Sequence, residues 1–139
     1  MKCEFLALAD AAQVQGDRIL ILGRGLRCLT TGEGFPFKHH LGVAASLLVG
    51  GFETNQPHHY TFRVSPEDAT NEFVDVEGDF EKARPDDTPL DDDQHMLLAA
   101  NLAPSFESAG AYVLRMLVDG EELARTNFTV LDSAPAAAS

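Results

Sequence analysis

The chain has 139 residues, with 22 acidic and 10 basic side chains, a formal net charge of −12 and 45% hydrophobic content. That is single-domain size with enough apolar material for a real core, which excludes general disorder. The charge repels phosphate backbones and anionic bilayers, so neither a nucleic acid nor a membrane is expected as a partner.

The opening Met1 to Asp10 has a short apolar stretch, but Glu4 and Asp10 interrupt it and no long apolar run with a small-residue cleavage site follows. A cytoplasmic protein is the resulting expectation. Cys3 to Leu8 reads as a first strand. Gln15-Gly16-Asp17 is a turn signal, and Arg18 to Leu22 a second strand, which together suggest an N-terminal hairpin. Gly23-Arg24-Gly25 interrupts the run, and Leu26 to Thr30 resumes it after a bend. Thr31 to Gly34 is a loop. His39 to Val49 reads as a strand, although Leu41, Ala44, Ala45 and Leu48 also match helical spacing; Gly42, Gly50 and Gly51 favour the sheet.

Gly50 to Pro57 is a connection, and His58 to Val64 a strand with Tyr60, Phe62 and Val64 on one side. After a turn at Ser65 to Asp68, Glu72 to Phe80 alternates Val74, Val76 and Phe80 inward with Asp75, Glu77 and Asp79 outward. Pro85 to Gln94 is an acidic loop, His95 to Leu102 a further strand, and Ser133 to Ser139 a small-residue tail expected to be disordered.

Ala111 to Val118 and Glu121 to Val130 flank Asp119-Gly120 and form the clearest hairpin in the chain. A two-residue loop would pair Val118 with Glu121 and Met116 with Leu123. It would also set the apolar face of one strand against the polar face of the other. A three-residue loop with Gly120 as an αL bulge pairs even positions with even, bringing Tyr112 and Leu114 beside Ala124, Thr126 and Phe128. The bulged loop is therefore predicted.

About eight short strands without a convincing amphipathic helix indicate an all-β protein: an antiparallel β-sandwich, immunoglobulin-like or jelly-roll, in one domain over residues 1–132. Several strands are apolar on both faces. Leu20 and Leu22 oppose Ile19 and Ile21, Leu6 and Leu8 oppose Phe5 and Ala7, and Met96 and Leu98 oppose Leu97 and Ala99. Such faces are covered either by the rest of the chain or by a second copy, so self-association through a sheet face, as a homodimer, is expected.

Chemistry is sparse. The five histidines are His39, His40, His58, His59 and His95, and neighbours on a strand point to opposite faces. One of each pair could converge with His95 on a metal, but no H-x-H or H-E-x-x-H spacing supports it. Asp86, Asp87, Asp91, Asp92 and Asp93 lack the glycine and terminal glutamate of a calcium loop. Gly23-Arg24-Gly25 lacks the remainder of a nucleotide loop, and no serine sits in a nucleophile elbow. Cys3 and Cys28 lack metal spacing and read as core thiols. No catalytic, metal or cofactor residue is therefore assigned. The most function-like segment is the polar connection Glu53, Thr54, Asn55 with His58, since loops at the end of a rigid sandwich carry binding residues; internal hydrogen bonding by Thr54 and Asn55 is the competing explanation.

The opening Lys2-x-Glu4-Phe5-Leu6-x-Leu8-Ala9-Asp10-Ala11-Ala12-Gln13, then Ile21-Leu22-Gly23-x-Gly25 and Glu53-Thr54-Asn55, together with the ending Gly110-x-Tyr112, Asp119 to Arg125 and Phe128-x-Val130, resemble a group of small bacterial proteins of uncharacterised function. The resemblance implies a compact bacterial β-sandwich and carries no catalytic residue. The function expected is a non-enzymatic interaction or binding module, homo-oligomeric and with an unknown protein partner. The alternative is a metal- or small-ligand-binding β-barrel enzyme built on clustered histidines, which requires their ring nitrogens to meet in one pocket.

Overall fold

The computed structural model describes residues 1–68 and 74–132. The expected strand start at Glu72 and the tail after Asp132 lie outside the described residues. In chain order the strands are β1 (Lys2–Ala9), β2 (Ala11–Gln15), β3 (Arg18–Leu22), β4 (Cys28–Thr31), β5 (Phe37–Lys38) and β6 (Leu41–Val49), then β7 (Pro57–Pro66), β8 (Val74–Glu81), β9 (Gln94–Leu102), β10 (Ser105–Phe106), β11 (Gly110–Val118) and β12 (Glu121–Asp132). Three of these were not foreseen, namely Ala11–Gln15, Phe37–Lys38 and Ser105–Phe106.

A three-stranded sheet, β1-β6-β9, faces a five-stranded sheet, β4-β12-β11-β7-β8. All pairings are antiparallel except that of β12 with β4, which is parallel. Alternation builds the core between them. Leu41, Val43, Ala45, Leu47 and Val49 from β6 meet Phe62, Val64, Leu114, Met116, Phe128 and Val130 from the facing sheet, all nearly inaccessible to water. One end is plugged by Phe106 of β10, whose ring packs edge-on against Tyr112 at 4.9 Å and Phe128 at 5.9 Å between centroids.

The N-terminal hairpin is displaced by one strand from its expected place. The turn at Gly16-Asp17 pairs Gln15 with Arg18 and Ala11 with Leu22, so β3 takes β2 as its partner, and β1 pairs with β6 instead. A turn this short joins only the residues that flank it. The glutamines at 13 and 15 had concealed the partner strand.

This hairpin forms a third layer on the outer face of the β1-β6-β9 sheet. Ala12, Ile19 and Ile21 pack on Ala7, Ala44 and Ala99. The seat is made of small residues, and Gly42 is its closest point, where a Cβ would fall 2.5 Å from the Ala11 backbone. The Asn101 side chain fastens the layer by donating to Ala12 O at 2.9 Å and accepting from Ala12 N at 3.3 Å. The two-sided apolar character of β1, β6 and β9 thus has an internal cause in large part. That of β3 does not, because Leu20 is 44% and Leu22 69% exposed.

The C-terminal hairpin corrects a second expectation. Its turn is the tight two-residue type, with Val118 opposite Glu121 and positive φ at both Asp119 (52°) and Gly120 (83°). The even-to-even pairing nevertheless holds further along, since Tyr112 opposes Phe128, Leu114 opposes Thr126 and Met116 opposes Ala124. The two are reconciled by a bulge between Met116 and Leu117 in the ladder, which leaves Leu123 as the extra residue. The hydrophobic faces dictate the register, and the slip sits in the strand rather than the loop.

Candidate functional site

The loops at one end of the sandwich bring the polar residues of the β6–β7 connection together. His58, at the start of β7, is 8% exposed and stacks on Phe80 at 5.4 Å between centroids. Its Nδ1 lies 2.7 Å from Asp119 Oδ2 and its Nε2 lies 2.7 Å from the carbonyl oxygen of Glu53. Both neighbours are acceptors, so the doubly protonated imidazolium is the form of the ring that satisfies both contacts. Burial pushes the His58 pKa down, but the Asp119 hydrogen bond, the Glu53 carbonyl and the two carboxylate charges outweigh it and leave the pKa raised. The Asp119 carboxyl is held low by His58 and by the backbone N–H of His59, which donates to Asp119 Oδ1 at 2.9 Å.

Glu53, Thr54 and Asn55 turn inward on their own loops. Glu53 Oε1 accepts from Gly50 N at 3.0 Å, and Oε2 pairs with the Met1 ammonium at 2.9 Å. Partial burial pushes the Glu53 carboxyl up, but these bonds and the nearby positive charges leave it lowered. Thr54 Oγ1 donates to Gly51 O at 3.0 Å and accepts from Arg84 Nε at 3.2 Å. Asn55, at φ 61°, donates its N–H to Lys82 O at 2.8 Å and accepts from Arg84 N at 3.1 Å. The Arg84 guanidinium also donates to the carbonyls of Pro89 and Asp92, closing the acidic loop around itself. These contacts are what internal hydrogen bonding of the connection requires.

Arg84 and Asp119 organise this end, and neither was singled out from the sequence. Arg84 was legible only as a lone guanidinium leading into an acidic run. Asp119 had been read as turn chemistry alone, whereas the β7–β11 register brings it beside His58 and His59.

The remaining histidines scatter. His39 and His40 precede β6, whereas His95 pairs with Leu48 near its far end, about 25 Å away at strand rise. His59 points away from His58 and lies 2.9 Å from Asp79 and 3.2 Å from Glu77. Among the described residues no group of three or more His, Cys, Asp or Glu is placed to hold a metal ion. The convergence that a histidine-based enzyme needs is not there. Cys3 and Cys28 are both free, and Cys28 is exposed rather than a core thiol, because it sits on the outward side of the edge strand β4. Among the described residues no helix is long and apolar enough to cross a membrane.

No curated protein matches the chain. A solved structure of Pseudomonas fluorescens alkylpurine DNA glycosylase AlkC, bound to DNA containing an abasic site analogue, is similar at a TM-score of 0.46 and 13% identity, covering 94% of this chain. This chain spans 30% of that protein, and a likeness at that level carries no functional argument. The model of a protein family matches residues 4–131, nearly the whole chain, and on that match the chain belongs to the family of unknown function DUF6941.

Proposed function

We propose that the protein is a non-enzymatic interaction module that self-associates as a homodimer through the β2–β3 hairpin. The observation that carries this reading is the outer face of the hairpin. Leu20 and Leu22 project from it at 44% and 69% exposure, while Ile19 and Ile21 of the same strand pack inward. The only charged residues from Ala11 to Leu22 are Asp17 and Arg18, so this segment is neutral in a chain of net charge −12. A second copy therefore meets little net charge there. Among the described residues β3 pairs with β2 alone, which leaves its other edge with unused backbone donors and acceptors. Two copies meeting antiparallel along β3 would satisfy that edge and set Leu20 beside Leu20 about a twofold axis.

A bacterial cytoplasmic setting is part of the same proposal. It is supported by the resemblance to small bacterial proteins and by two unpaired cysteines, which suit a reducing compartment. The negative charge speaks against nucleic acid and anionic membrane as partners. Sedimentation velocity at micromolar concentration tests the dimer. The expected result is a dimer for the wild type and a monomer with an unchanged melting temperature for Leu20→Asp combined with Leu22→Asp; a monomeric wild type removes the proposal.

A further inference from the structure

We propose that the cleft between the turn of the β2–β3 hairpin and the outer face of the β1-β6-β9 sheet binds a small organic cation with an apolar body. The site is separate from the outward hairpin face invoked for self-association.

The cleft follows from where the hairpin stops. Along the outer face of the sheet, the cross-strand rows run from Ala9, Gly42 and Asn101 through Ala7, Ala44 and Ala99 to Phe5, Ser46 and Leu97. The hairpin sits on the small residues of the first two rows. Beyond them the side chains grow, and the hairpin turn, at Val14, Gly16 and Asp17, overhangs an open volume of about 590 Å³. That is within the range of small-molecule sites, roughly 300–1,000 Å³. Phe5, Val14, Met96 and Leu97 give it apolar walls.

The polar groups are placed by a break in the strand. The β1–β6 register slips between Cys3 and Phe5, leaving Glu4 as an extra residue in a bulge. In an unbroken strand Glu4 and Phe5 would point to opposite faces; the bulge turns both into the cleft. Ser46, 1% exposed, donates its hydroxyl to Glu4 Oε1 at 2.9 Å, and His95 Nδ1 lies 3.5 Å from the same oxygen. Both contacts fall on Oε1, so among the described residues Glu4 is oriented through one oxygen and no protein donor meets Oε2. Asp17 stands on the overhanging turn, and among the described residues Lys82 is the one ammonium on the lining. Two carboxylates over apolar walls, in a molecule of net charge −12, favour a positively charged ligand head over an anion. An alkyl- or arylalkyl-ammonium would donate to Glu4 Oε2 and lay its body on Phe5 and Leu97.

Amide-resolved NMR titrations with phenethylamine, an ammonium at neutral pH, and with phenylacetate, which offers the same ring with the opposite charge, test this. Phenethylamine is expected to give saturable shifts at Phe5, Ser46, His95 and Leu97, and to bind about tenfold or more tighter than phenylacetate, the scale of one charge-assisted hydrogen bond. Glu4→Gln should weaken phenethylamine by a similar factor; if that variant fails to fold, Asp17→Asn on the exposed turn should weaken it in the same direction. Equal affinity for the two probes, or shifts confined to the acidic stretch from Asp86 to Asp93 and indifferent to Glu4→Gln, would overturn the site. Leu20→Asp combined with Leu22→Asp should leave the titration unchanged, which separates this inference from the dimer.

Discussion

Gly42 holds two layers together by what it lacks. A Cβ there would meet Ala11 C and Cα at 2.5 Å and Ala12 N at 2.7 Å, all backbone atoms that cannot swing aside. Gly42→Ala must therefore lift the hairpin or bend β6, and overpacking of this kind costs about 1–3 kcal/mol. Urea unfolding should show that loss, whereas Leu22→Ala on the exposed face should change little; an unaltered midpoint for Gly42→Ala would mean that the hairpin is not seated there. Gly51 meets the same limit, since a Cβ would lie 2.2 Å from Leu90 O. The glycines could be read in the sequence as signs of strand rather than helix. Their role as contact points could not, because each contact joins residues far apart along the chain, and periodicity reports only on a residue's immediate neighbours.

His58 works as a proton-dependent clasp between three elements: the β6–β7 connection through the Glu53 carbonyl, β7 itself, and the β11–β12 turn through Asp119. The folded pKa of His58 is raised, so its stabilisation is fully present below the unfolded value of about 6.5 and is lost as pH rises through the folded value. His59, between Asp79 and Glu77, acts with the same sign. Asp119 and Glu53 are lowered, so their stabilisation is present above about pH 4 and lost as pH falls below that. Thermal stability should peak between those limits. Raising the pH from about 6 to about 9 should cost the wild type more than His58→Gln, which has no proton to lose; parallel losses in the two would rule the clasp out. Asp119→Asn keeps a residue tolerant of positive φ while removing the counter-charge, so an NMR titration of the His58 ring should show its pKa fall. This cluster was partly legible. The polar run Glu53-Thr54-Asn55 before His58 marked the loop, but the side chains that complete it, Arg84 and Asp119, reach it through strand pairings that one-dimensional alternation does not encode.

At the scale of the molecule, alternation was enough to foretell two sheets enclosing one core, because burying one face of each strand is a local demand. The third layer was not foretold. It rests on a seat of alanines and a glycine, residues whose weak individual preference hides their collective fit. Net charge acts at this scale too. Two copies at −12 each repel, so raising salt from low to physiological ionic strength should strengthen the proposed dimer by screening that repulsion. Sedimentation across a salt series checks this, and dissociation on adding salt would point to ion pairs rather than leucines at the contact.

The far border of the five-stranded sheet is β8, where Asp75, Glu77, Asp79 and Glu81 alternate along one side, Arg63 pairing with Asp75 and His59 with Glu77 and Asp79. A like strand laid against that border would bring carboxylates against carboxylates, so the sheet resists lengthening into a fibre there. A twofold meeting along β3, by contrast, uses up the border that makes it. In the proposed dimer, repulsion along β8 and self-consumption along β3 would close both of these edges to further copies.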